Sequence, residues 1–365
     1  MNARSKISRT RPFDSSRKAL FMKRLSQKRK LYLERRRRKI LRRQATCKRH
    51  PVSPARPKCL GSNVIRAPDA ISLESDKHRH ELLSFLERLR SRVIKEGKPT
   101  VINLLNTERM VAAGSLLFMA ELYRVCELAK SKMMVRCIPP RDVKVNQVLK
   151  QIGVYELLGY TKKIEPSFKD VVHWRYACGH KVEGEKYENI LGSYDGKVAE
   201  SLLGSLFRGI TEAMTNCHHH AYIKPRPDGL EDQPDLKRWW MFSQEQGGML
   251  TVVFCDLGVG IPETLPIRKP AAWKKLISLG TAGSDASVIK QAIDDSITRT
   301  RKHYRGKGLK QLLEAAREND GLLRIFSNRG CYTFRGVKES TRDFSESIMG
   351  TLILWKVRIR QESLL

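Results

Sequence analysis

Glu212 and Asn216 lie four residues apart in the stretch TEAMTNCHHHAY (211–222), which stacks them on one face of a helix. A carboxylate beside an amide suits two tasks. The Asn216 oxygen can complete a Mg²⁺ shell, and the Glu212 carboxylate can orient or deprotonate a water. Two polar residues at this spacing also mark a solvated helix face, so the pair draws its meaning from the residues downstream of it. The adjacent His218, His219 and His220 look like metal ligands, but consecutive helical side chains point about 100° apart and cannot converge on one ion. Of the three, His220 shares the face of Glu212 and Asn216, whereas His218 and His219 read as packing or surface residues.

A second candidate stands in GMLTVVFCDLGVGIPETL, where Asp256 ends an apolar strand and Gly258, Gly260 and Pro262 come after it. A carboxylate fixed at a strand end accepts a hydrogen bond from an exocyclic amine such as adenine N6, and glycines let the backbone turn beneath a flat base. A plain tight turn is the alternative. The segment is not the dinucleotide fingerprint, because Glu263 occupies the third glycine position and no helix start is expected after the proline. In HYRGKGLKQLLEAA, Gly306 and Gly308 precede a helical pattern; such glycines expose the first N–H groups to an anion, with Arg305, Lys307 and Lys310 adding charge. A P-loop is excluded, since Arg301 and Gly308 stand where it needs glycine and Ser or Thr. In MGTLILWKV, Thr351 opens a terminal strand and brings a small hydroxyl toward the same base edge.

The ordered set ExxxN, DxGxGIP, GxGL and GT resembles the GHKL ATPase superfamily of histidine kinases, type II topoisomerases, mismatch-repair ATPases and anti-sigma serine kinases. The local similarity is to the anti-sigma serine kinases, whose E-A-x-T-N is followed by a histidine four after the asparagine, as Glu212, Asn216 and His220 are here. The resemblance implies a Bergerat fold, in which a mixed sheet backed by helices holds ATP beneath a mobile lid. It also implies roles: Asn216 binds Mg²⁺, Glu212 is catalytic, and Asp256 binds adenine with Gly258 and Gly260 lining the base. Gly306, Lys307, Gly308 and Leu309 hold phosphates, His220 lies at the nucleotide, and Thr351 supports Asp256. The lid, Glu263 to Arg305, carries helical patterns of its own at 272–279 and 286–297.

These residues need a scaffold to position them. The long helix bearing Glu212 is expected after Gly196, with Val198, Leu202, Leu203, Leu206, Ile210 and Met214 facing inward. Upstream, residues 67–160 alternate helix and strand: a helix over 82–94, the buried strand TVINLL, a helix from Val111 to Ala129, the strand MMVRCI, and a helix around 145–158. Within it, VINLLNTERMVAAGSLLFMAEL resembles the strand, turn and helix of STAS domains. Ala113 replaces the family's phosphoacceptor serine and the nearest hydroxyl, Ser115, is one position late, which implies a docking or dimerising unit that has lost the acceptor. Residues 161–190 read as a connecting strand or hairpin, and 191–365 as the ATP-binding domain. The fold class expected is therefore α/β (α+β), a STAS-like unit followed by a Bergerat-fold sandwich.

Residues 1–66 read as a basic, largely disordered arm and linker. Residues 1–60 hold 22 Lys/Arg against 2 Asp/Glu, about +20 of the net +32. That charge suits nucleic acid, since each neutralised phosphate releases counterions. Eight cysteines without a CxxC pair point to reduced thiols, and no apolar run is long enough to span a bilayer. The expectation is a cytoplasmic protein with ATP and Mg²⁺ as cofactors and a regulatory protein as partner, with a homodimer open. Its activity is ATPase or serine/threonine kinase, or else that of an ATPase gate on nucleic acid in a mobile-element or defence system.

Overall fold

The computed structural model describes residues 63–129, 134–161, 164–165, 167–168, 171, 174–183, 186, 200–230, 237–298, 308–318 and 320–359. Residues 1–62 of the basic arm, Gly306 and Lys307 lie outside them, and so does Val198. Within Leu60–Leu365, which holds together as one unit, the described residues build a mixed α/β structure around two sheets and a short strand pair.

The first sheet is parallel and three-stranded, in the order β1 (Val64–Arg66), β3 (Thr100–Asn103), β5 (Val135–Ile138). Two further strands, β2 (Ala70–Ile71) and β4 (Arg109–Met110), form a separate parallel pair. Helix α1 (Asp76–Arg90) starts at Ser75, whose hydroxyl accepts from the His78 N–H, and Asp76 sits in its first turn where the helix dipole favours an anion. It continues as a π-turn through Lys95. Helix α2 (Ala112–Leu128) follows β4, and α3 (Val143–Gln151) and α4 (Val154–Leu157) close the unit. Two details depart from expectation. β1 is made from the last three residues assigned to the arm, too few to show a period, and the helix expected over 145–158 is interrupted at Ile152–Gly153. Ser115 is fully buried in the first turn of α2, so its hydroxyl is not presented to a kinase.

The second sheet has seven strands among the described residues. They are β6 (Arg175–Gly179), β7 (Trp239–Gln246), β8 (Met249–Asp256), β9 (Leu322–Ser327), β10 (Gly330–Arg335), β11 (Lys338–Asp343) and β12 (Thr351–Arg358), in the order β11-β10-β9-β12-β8-β7-β6. Every pair is antiparallel, where the resemblance implied a mixed sheet. The segment expected to be a connector supplies the edge strand β6.

Alternation along each strand separates two cores. Trp239, Met241, Val252, Phe254, Ile353 and Trp355 face one side, together with Leu206, Ile210 and Met214 of α5 (Glu200–Asn216). Trp240, Phe242, Val253, Cys255, Leu352 and Leu354 face the other side, against α2. Both faces are covered, so β8 and β12 read as continuous apolar runs rather than alternating ones. Helices α6 (Ile261–Arg268), α7 (Pro270–Ser278), α8 (Asp285–Thr298) and α9 (Gly308–Glu318) complete the α5 side. A helix does start after the glycines. Pro262 falls in the first turn of α6, where its missing N–H has no intrahelical partner to lose.

The α2 layer is tied to the sheet by buried charge. Glu121 of α2 pairs with Arg90 at 3.0 Å and with Arg226, which also meets Asp228 at 3.3 Å; Arg124 pairs with Asp228. Burial alone would push the Glu121 carboxyl up, but Arg226, Arg90 and Arg124 hold it below its ordinary range. Arg226 further donates to the carbonyls of Met349 at 2.8 Å and Ile348 at 3.2 Å.

Candidate functional site

A cavity of about 730 Å³ opens between α5, α6, the end of α8, the start of α9 and the sheet face carrying Phe254 and Ile353. Glu212, Asn216, His220, Asp256, Gly260, Leu309 and Thr351 all line it. These seven come from four separate stretches of chain, and β8 and β12 bring two of them together by register, Thr351 lying opposite Asp256.

Asp256 is 6% exposed at the cavity floor. Its Oδ1 accepts from the Gly258 N–H at 3.0 Å. Burial raises its pKa from 3.8 to about 6, opposed by the backbone N–H groups of Gly258 and Thr351 and by the charge of Arg226. The loop after it is clipped from two sides. Ser327 Oγ accepts from the Ile261 N–H at 2.8 Å and bonds Thr351 Oγ1 at 3.1 Å, and Asn328 Nδ2 donates to the Val259 carbonyl at 2.9 Å. Gly260 takes a φ of 85°, and a Cβ there would lie 2.7 Å from Asn328 Oδ1.

Gly258 is absent from the cavity wall, contrary to its expected place beneath the base. A Cβ on it would lie 2.2 Å from the Ala221 carbonyl oxygen, so this glycine serves a backbone-to-backbone approach between the Asp256 loop and the end of α5. The neighbouring Val259 N–H donates to that same carbonyl at 2.7 Å.

At the opposite end, Glu212 is half-buried and burial raises its pKa, while a hydrogen bond from Asn216 and the charge of Lys269 act against that rise. A carboxylate with a raised pKa is a better proton acceptor at neutral pH. After Asn216 the helix widens into a π-turn, Cys217–Ala221. His219, read from the sequence as a packing or surface residue, lines the cavity beside His220; three after Asn216 and seven after Glu212, it keeps to their helix face. Burial, followed by Arg268, lowers the His220 pKa, and its Nδ1 has no hydrogen-bond partner among the described residues. Among those residues no group of three His, Cys, Asp or Glu is arranged to hold a metal ion.

Gly306 and Lys307 lie outside the described residues, and Gly308 is the first residue of α9. Arg268 and Lys269 supply cationic groups to the cavity wall that the motifs did not point to. Each is one basic residue among many in a basic chain, with no spacing to single it out. Ser327, Asn328 and Arg226 were likewise missed, because their roles rest on contacts across 66, 69 and 105 residues. No protein-family model matches the chain, and no curated protein matches it.

Proposed function

We propose that this chain is an ATP-binding regulatory protein, with a GHKL-type ATPase or serine/threonine kinase-like domain joined to a STAS-like unit. The observation that carries the reading is that residues of four separated motifs line one cavity, the third motif through Leu309. Its volume falls within the roughly 300–1,000 Å³ usual for ligand sites. Asp256 keeps an oxygen for the exocyclic amine of adenine, with the Thr351 hydroxyl beside it, while Phe254 and Ile353 offer an apolar floor. At the far end Glu212 is placed to take a proton from a water or a protein hydroxyl, held in position by Asn216.

Mg²⁺ suits this donor set as an ion delivered on phosphates, since such ions take only one or two protein ligands. Asn216 would hold it, and the ion would neutralise phosphate charge. The α2 helix packed on the back of β7, β8 and β12 supports a role in which ATP state is passed to the STAS-like unit and from there to a partner protein. A cytoplasmic location is part of this proposal; no described helix is long and apolar enough to cross a membrane.

The test is calorimetric titration of the full chain with ATP and Mg²⁺. Asn216→Ala should abolish binding, and unchanged affinity in that variant refutes the reading. Incubation with γ-labelled ATP then separates hydrolysis, label on this chain, and label on a co-purified protein.

A further inference from the structure

Lys269 occupies the joint between two helices, closing α6 and opening α7 with φ −138° and ψ 66°. Its ammonium lies 2.7 Å from Asp295 Oδ2 on α8. The same side chain lines the cavity near Glu212 and Asn216, whereas Asp295 does not. Its positive charge is felt at both Glu212 and His220. The lysine thus stands between a fixed carboxylate behind it and the cavity in front of it.

A lysine ammonium is a compact charge on a flexible four-carbon stem, so it exchanges one anion for another by side-chain rotation. Both members of the pair keep partial exposure, 25% for Lys269 and 17% for Asp295. The exchange therefore starts from a pair that water already reaches. The neighbouring Arg268 is held differently: it is exposed and donates to the His219 carbonyl at 3.3 Å on the rim.

We propose that Lys269 is the residue that distinguishes a nucleoside triphosphate from a diphosphate, leaving Asp295 for the terminal phosphate. The inference rests on the ATP reading above. With the base on Asp256, the phosphate chain runs toward Glu212 and Lys269. A diphosphate ends one phosphate earlier and leaves the lysine on Asp295. A triphosphate presents an anion of higher charge to the ammonium, which turns from Asp295 onto it.

The experiment is titration of the full chain with ATP and with ADP, each with Mg²⁺, for the native chain and for Lys269→Met, Lys269→Arg and Asp295→Asn. Loss of one charge-assisted contact predicts that Lys269→Met weakens ATP about tenfold and changes ADP less than about twofold. Lys269→Arg keeps the preference for ATP. Asp295→Asn frees the lysine and tightens ATP by about threefold with ADP unchanged. Equal weakening of ATP and ADP in Lys269→Met overturns the assignment, as does weaker ATP binding in Asp295→Asn. A native chain that binds ATP and ADP equally overturns it while leaving the ATP reading intact; a native chain that binds neither overturns both.

Discussion

Replacing Asp256 by Asn separates the energetics of the site from its chemistry. In the folded chain the carboxyl titrates near 6 rather than at its ordinary 3.8, with burial as the main cause. A pKa raised by folding means that the folded state favours the protonated acid. The contribution of Asp256 to stability is therefore greatest below its unfolded pKa and falls as pH rises from about 3.8 through 6. The gap between 3.8 and about 6 corresponds to about 3 kcal/mol at about 1.4 kcal/mol per pH unit. An asparagine has the same shape and no charge to desolvate. Relative to the native chain, Asp256→Asn should gain up to about 3 kcal/mol between pH 4 and 7. Its nucleotide affinity should fall, because one of the two carboxylate oxygens becomes an N–H donor. That donor must face either the Gly258 N–H, now satisfied at 3.0 Å, or the adenine amine, and both are donors themselves. The assay is urea unfolding of both chains at half-unit pH steps, with ATP titrations at pH 7. A stability difference that stays constant from pH 4 to 7 would refute the account of Asp256 as a buried carboxylate held near pH 6.

Other perturbations draw on the same geometry. Arg226→Met leaves the buried Glu121 and Asp228 short of a partner and frees the Ile348 and Met349 carbonyls; urea unfolding should show a loss of about 3–5 kcal/mol. Gly258→Ala places a Cβ at 2.2 Å from the Ala221 carbonyl oxygen, so ATP affinity should drop with the melting temperature, whereas a substitution touching only the ligand would spare stability. Deleting residues 1–60 removes 22 Lys/Arg; ATP affinity should persist while binding to DNA or RNA falls and its salt dependence flattens, as measured by fluorescence anisotropy at several salt concentrations.

Periodicity carried much of the fold. The apolar spacing of 82–94, 202–214 and 309–316 marks helices, and the runs ending at Asp256 and beginning at Thr351 mark buried strands, since backbone geometry repeats side-chain direction locally. The site residues were legible for the same reason: Glu212 and Asn216 share a helix face, and Asp256 ends a strand before glycines. Features outside a local period were not legible. The pairing of β6 with β7 and of β8 with β12, the cover that α2 gives to the back of the sheet, and the Arg226 cluster join residues tens to more than 100 positions apart. His219, by contrast, was legible and missed: seven after Glu212, it lies on the same helix face and lines the cavity.

The sequence by itself thus marked Glu212, Asn216, Asp256 and Thr351 and the kind of element each one sits on, because helix and strand periods are written residue by residue. Tertiary structure alone decided which of them meet. It turned Gly258 from a base-lining residue into a packing contact and placed Lys269 between Asp295 and the cavity. Such meetings depend on how distant surfaces exclude water and satisfy buried charge, and no short window of sequence contains both partners.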